Sequence, residues 1–108
     1  MAFKSKVTAN IGTSGSPSTI TPTVSSGTTA TVIGLSLANT VSTAITVSAK
    51  LLKADASTAF LVKDATVLPG GALVIVGGDQ KVVLEAGDSI TAYASAGTSA
   101  DAVISYLA

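Results

Sequence analysis

A chain of 108 residues carries one domain, with six Lys balanced by six acidic residues, no Arg, and only 11% charged against 47% hydrophobic side chains. An ordinary soluble domain carries about 25% charge, so much of this surface is expected to be covered by neighbours, and the lack of a basic patch speaks against a nucleic-acid partner. The absence of His and Cys removes the usual general base, the usual metal ligands and the most nucleophilic side chain together, which weighs against hydrolase or transferase chemistry and predicts no cofactor.

The first strand candidate runs from Lys4 to Ile11, with Lys4, Lys6, Thr8 and Asn10 on one face and Val7 and Ile11 on the other. Lys4 and Lys6 form the only basic cluster and are candidates for contact with an acidic neighbour. Gly12 to Gly27 is rich in Ser, Thr, Gly and Pro, and Pro17 and Pro22 deny a regular central strand through their missing N–H groups. So long a stretch without regular structure is uncommon inside a compact domain. Residues 1–27 are therefore expected to form an extended N-terminal arm that reaches across a neighbouring subunit, with Ile20 and Val24 as its apolar anchors. No segment has the continuous apolar run of a secretory signal or of a membrane span, so no membrane partner is expected.

Residues 28–108 are expected to form a β-sandwich. Thr28 to Asn39 reads as a long strand with Thr31, Ile33, Leu35 and Leu37 on the core face. Ala44 to Lys53 follows, with Ile45, Val47, Ala49 and Leu51 alternating against Thr46, Ser48, Lys50 and Leu52 at a period of two. The Ala-rich segment Ala49 to Ala59 invites a helix, but it is short and interrupted by Ser57 and Thr58. Thr58 to Asp64 then forms a strand, and Ala65 to Leu68 is expected to pair separately.

From Leu68 onward, Gly-rich turns separate four runs, Ala72 to Val76, Lys81 to Leu84, Asp88 to Ser95 and Asp101 to Leu107. Their spacing predicts an antiparallel meander. In the first run Leu73 and Ile75 are assigned to the core, leaving Val74 and Val76 as a face for subunit contact. In the third, Ile90, Ala92 and Ala94 alternate with Thr91, Tyr93 and Ser95. The fold class is all-β, an antiparallel sandwich of two stacked sheets; jelly-roll and immunoglobulin-like wiring both fit the periodicity.

Sites of chemistry are sparse. Asp79, Glu85 and Asp88 all fall in tight turns, where Gly78-Asp79 and Gly87-Asp88 supply positive φ and a short acceptor that caps the turn. As a calcium site they lack ordered ligand spacing. Gly70-Gly71 and Gly77-Gly78 do not open helices, so they read as hairpin glycines and not phosphate loops. No Ser-x-x-Lys or Gly-x-Ser-x-Gly pattern occurs, so no catalytic residue is assigned. Tyr93 and Tyr106 read as packing residues before they read as a sugar-stacking pair.

The segments Val32-Ile33-Gly34-Leu35-Ser36-Leu37-Ala38-Asn39, Phe60-Leu61-Val62-Lys63-Asp64 and Leu68-Pro69-Gly70-Gly71, then Gly77-Gly78-Asp79-Gln80-Lys81-Val82-Val83-Leu84 and Glu85-Ala86-Gly87-Asp88-Ser89-Ile90, resemble small virion structural proteins of tailed bacteriophages. The resemblance spans Val32 to Leu107 and is densest in the last two segments. It implies a non-enzymatic β-sandwich repeated on a particle, as a capsid decoration or cement subunit. The alternatives are a neck or tail accessory and a tail-fibre module that binds host glycans. It also implies a homo-oligomer, with trimers common in such proteins, partnered by major capsid or neck and tail proteins, assembled in the host cytoplasm and located in the virion.

Overall fold

The computed structural model describes residues 2–108, with Met1 alone outside them. Nine strands follow one another along the chain: β1 (Phe3–Thr8), β2 (Ser18–Thr19), β3 (Ala30–Asn39), β4 (Ile45–Leu52), β5 (Thr58–Val67), β6 (Ala72–Val76), β7 (Val82–Leu84), β8 (Ser89–Ala94) and β9 (Ala100–Leu107). The segment that invited a helix is the end of β4, a turn closed by Lys53 and Ser57, and the start of β5. Ala65 to Val67 continues β5 and does not pair separately.

One sheet has the order β1-β9-β3-β6, with β7 also paired to β3; the other has the order β2-β8-β4-β5. β6 pairs with Leu35–Ala38 and β7 with Ala30–Val32, both antiparallel, so the two lie end to end along one edge of β3. They act as one strand interrupted by the loop Gly77 to Lys81. Counted so, the chain is a long hairpin rolled up: first strand on last (β1 on β9), second on seventh (β2 on β8), third on sixth (β3 on β6 and β7), fourth on fifth (β4 on β5). Closure comes from β9 on β3 and β8 on β4. That is the wiring of a jelly roll, and it excludes the immunoglobulin-like alternative.

The expected meander is corrected by the same pairings. β6 and β7 do not form a hairpin, β8 crosses to the second sheet, and β9 returns to the first. Short strands joined by Gly turns look alike in sequence whether consecutive runs pair with each other or alternate between sheets.

The core is filled from both sheets, by Val32, Leu35, Leu37, Val76, Leu84 and Ile104 of the first and by Ile45, Val47, Ala49, Ile90, Ala92 and Ala94 of the second. In the first sheet two β-bulges decide which residues reach it. In β3 the register against β9 jumps between Val32 and Gly34, leaving Ile33 as the extra residue. Ala30 and Val32 therefore face inward before the bulge and Leu35 and Leu37 after it, so the assignment of Thr31 and Ile33 to the core face is corrected. In β6, Ser36 lies opposite Val74 and Leu35 opposite Val76, with Ile75 left over. Val74 is 68% exposed and Val76 is fully buried, although both were expected on the same face.

Over residues 2–27 the expected arm is integrated into the sandwich. β1 pairs along its whole length with β9, β2 pairs with β8, and Ile11, Ile20 and Val24 are buried in the core. Leaving two fully buried Ile side chains in water would forfeit about 1.5–3 kcal/mol each, which is a sufficient reason for this Ser/Thr-rich stretch to fold back. Pro17 and Pro22 bracket β2 and limit it to two residues. Thr21 Oγ1 accepts a hydrogen bond from Ile90 N, and Ile90 O accepts one from Ile20 N.

Candidate interaction surface

The acidic turn residues separate into different roles. Gly87 adopts φ +84°, and the Asp88 carboxylate that follows it is buried, accepting from Ala54 N and Glu85 N at 2.9 Å each and from Lys53 Nζ. Lys53 Nζ also donates to Glu85 Oε1 at 3.1 Å. Asp88 thus caps its own turn and ties it to the β4–β5 turn. The Lys53 ammonium, helped by the two backbone N–H groups, holds the Asp88 carboxyl below the usual carboxylate range, and the Asp88 carboxylate, followed by Glu85, pushes Lys53 up. Gly78 also has positive φ, as the turn requires. Among the described residues no group of three His, Cys, Asp or Glu side chains is placed to hold a metal.

The basic pair sits at a sheet edge. Lys4 lies opposite Tyr106 and Lys6 opposite Ile104 on β9, on the inward side of the edge strand β1. Inward-pointing charges on an edge strand hinder pairing with a further strand. Lys4 and Tyr106 also line a cavity of about 250 Å³ with Thr23, Ser25 and Thr28 at the open end of the sandwich.

On the second sheet, Lys50 lies opposite Phe60. The Phe60 ring has the ammonium groups of Lys50 and Lys63 at 5.0 and 5.5 Å from its centroid, within the range of cation–π attraction. Polar side chains of Thr46, Thr66 and Thr91 extend this surface. It is the ordinary solvated face of a sandwich with one exposed aromatic ring.

The outward face of the first sheet is different in kind. Registers across its strands align two apolar rows, Val74-Ser36-Val103-Val7 and Val83-Thr31-Leu107-Phe3, on either side of a low row formed by Gly34, Ser105 and Ser5. A fourth row at the margin holds Ala72, Ala38 and Asp101. Phe3 is 77% exposed, Val7 66% and Val103 42%; with Val74 and Val83 they are five of the seven large apolar side chains exposed among the described residues, with only Phe60 and Leu68 of these seven lying elsewhere. The four rows contain one charge, Asp101, whose Oδ1 accepts a hydrogen bond from Asn10 N at 2.8 Å. Contiguous apolar surface of this kind makes the face the candidate interaction site of the molecule.

No family model, curated protein or solved structure matches the chain.

Of the six residues assigned to an interface from sequence, Val74 lies in this face and Lys4 and Lys6 border it on the far side of β1. Ile20, Val24 and Val76 belong to the core of their own chain, which corrects their assignment. The face also contains Phe3, Val7, Val83, Val103 and Leu107. Their signal is present only as alternation within each strand; the cross-strand registers that gather them depend on pairing between residues up to a whole chain apart.

Proposed function

We propose that this chain is a non-enzymatic virion structural subunit of a tailed bacteriophage, a capsid decoration or cement protein that stabilises the particle by burying the uncharged outer face of its first sheet against neighbouring subunits. The observation that carries the reading is that face: two apolar rows, interrupted only by Ser36 and Thr31, with a low row of Gly and Ser between them. Burial of such a surface desolvates no ion and costs little side-chain entropy, because Val, Ser and Thr have few rotamers to lose. Jelly rolls recur in viral capsid proteins, which agrees with the resemblance of Val32 to Leu107. A fold does not by itself carry a function, so the weight rests on the surface. The reading assigns no catalytic group, no cofactor, no nucleic acid and no membrane.

The second reading, a neck or tail accessory or a tail-fibre module that binds host glycans, is favoured by Phe60. An exposed ring flanked by two ammonium groups offers a stacking platform beside positive charge. Electron cryo-microscopy of particles from a phage that encodes this chain separates the two. Decoration predicts density repeated over the icosahedral shell. Density confined to the tail vertex overturns decoration and leaves the second reading.

A further inference from the structure

We infer that the partner of the uncharged face is a second copy of this chain, stacked sheet on sheet about a twofold axis. The inference rests on the proposal that this face works by burial and names what covers it.

Shape favours a copy. Val103 and Leu107 are four residues apart on β9, so their rows form ridges about 13 Å apart, with the Gly34-Ser105-Ser5 row as a trough between them. A twofold axis lying parallel to the rows, halfway between the Val74-Ser36-Val103-Val7 ridge and the trough, reverses the order of the rows in the second copy. One ridge of each molecule then lies in the trough of the other, reciprocally, as an isologous contact requires. The trough is open because Gly34 has no side chain: a Cβ placed there would stand 3.8 Å from the Ser105 Cβ, filling the space between them.

Charge favours the same occupant. The two apolar rows and the trough hold no ionisable group, so where ridge meets trough a copy finds neither a like charge nor an ion it must desolvate. The one acidic residue, Asp101, lies in the marginal row and is already bonded to the backbone of its own chain. Area sets the strength. Four strands about 4.8 Å apart and about 25 Å long present roughly 500 Å², so a pair buries about 1,000 Å², near the lower bound of a specific interface. The pair is accordingly expected to be reversible.

Sedimentation velocity over a concentration series tests the inference, using the full chain, Val103→Asp, Val7→Asp and Phe60→Ser, each checked for native far-UV circular dichroism. Val103 and Val7 are exposed outward-facing positions, so both Asp variants retain the fold. The expected result is a monomer–dimer equilibrium for the unchanged chain, weakened more than about tenfold in both Asp variants, where like charges meet across the axis, and unchanged in Phe60→Ser. A chain that stays monomeric throughout overturns the inference, as does a dimer that the Asp variants leave intact or that Phe60→Ser dissolves. A monomeric chain that still binds particles through this face sinks the self-pairing alone and leaves the structural role standing.

Discussion

Val74 and Val76 are two residues apart on β6, where a regular strand would put both on one face, and the bulge at Ile75 puts them on opposite faces. Truncating each to Ala measures that difference. Val76 is fully buried. Removing two methyl groups there forfeits about 1.6 kcal/mol of transfer free energy at about 0.8 kcal/mol each. The residual cavity raises the loss to about 2 kcal/mol. For a domain of this size that lowers the melting temperature by about 8–15 °C. Val74→Ala removes the same groups from an exposed position and is expected to change stability by less than about 0.5 kcal/mol. The assay is urea unfolding followed by far-UV circular dichroism, since the chain has no Trp. Dilute protein keeps self-association from contributing. Equal losses in the two variants, or a larger loss at Val74, would refute the bulge and with it the composition of the outward face.

Asn39 is buried at the end of β3, where its Nδ2 donates to Thr43 O and Val67 O and its Oδ1 accepts from Val41 N. Asn39→Ala removes these three hydrogen bonds, one of them buried, and is expected to cost about 3 kcal/mol in urea unfolding. At Gly12 a Cβ would lie 2.0 Å from the Ser16 carbonyl oxygen, so Gly12→Ala must move the loop between Ile11 and Ile20. A markedly lowered melting temperature is the expected outcome. Asp88 has a folded pKa below its ordinary value of 3.8. Its contribution to stability is therefore present above that value and is lost as pH falls through the folded one. Lys53 is raised above 10.5, so its share is full below that value and lost as pH rises through its folded one. Thermal melts between neutral and strongly acid pH should show Asp88→Asn less stable at neutrality and less sensitive to acid than the unchanged chain.

Strand identity was readable along most of the chain because alternation at a period of two is local. Ile45, Val47 and Ala49 on β4, and Ile90, Ala92 and Ala94 on β8, are buried as their spacing predicts. The Asp88 turn cap was readable for the same reason, since Gly87 and Asp88 act within a few residues of each other. The bulges at Ile33 and Ile75 were not readable. An extra residue in one strand is defined only against its partner, and its effect is to reverse the alternation beyond it. The N-terminal segment misled through composition: Ser, Thr, Gly and Pro dominate residues 12–27, yet Ile11, Ile20 and Val24 determine where the segment lies. Jelly-roll wiring depends on pairing the first strand with the last, which no local window contains.

The central claim is that the outward face of the β1-β9-β3-β6 sheet is buried in the assembled state. The chain contains no Cys, so Val103→Cys and Thr66→Cys each place one thiol on an otherwise unreactive molecule, the first within the uncharged face and the second on the exposed polar face of the other sheet. Rates of maleimide labelling, compared between free protein diluted until it is monomeric and protein bound to particles, test the claim directly. The account predicts strong protection of the thiol at position 103 on particles and unchanged labelling at position 66. Equal labelling of position 103 in the free and bound states contradicts it.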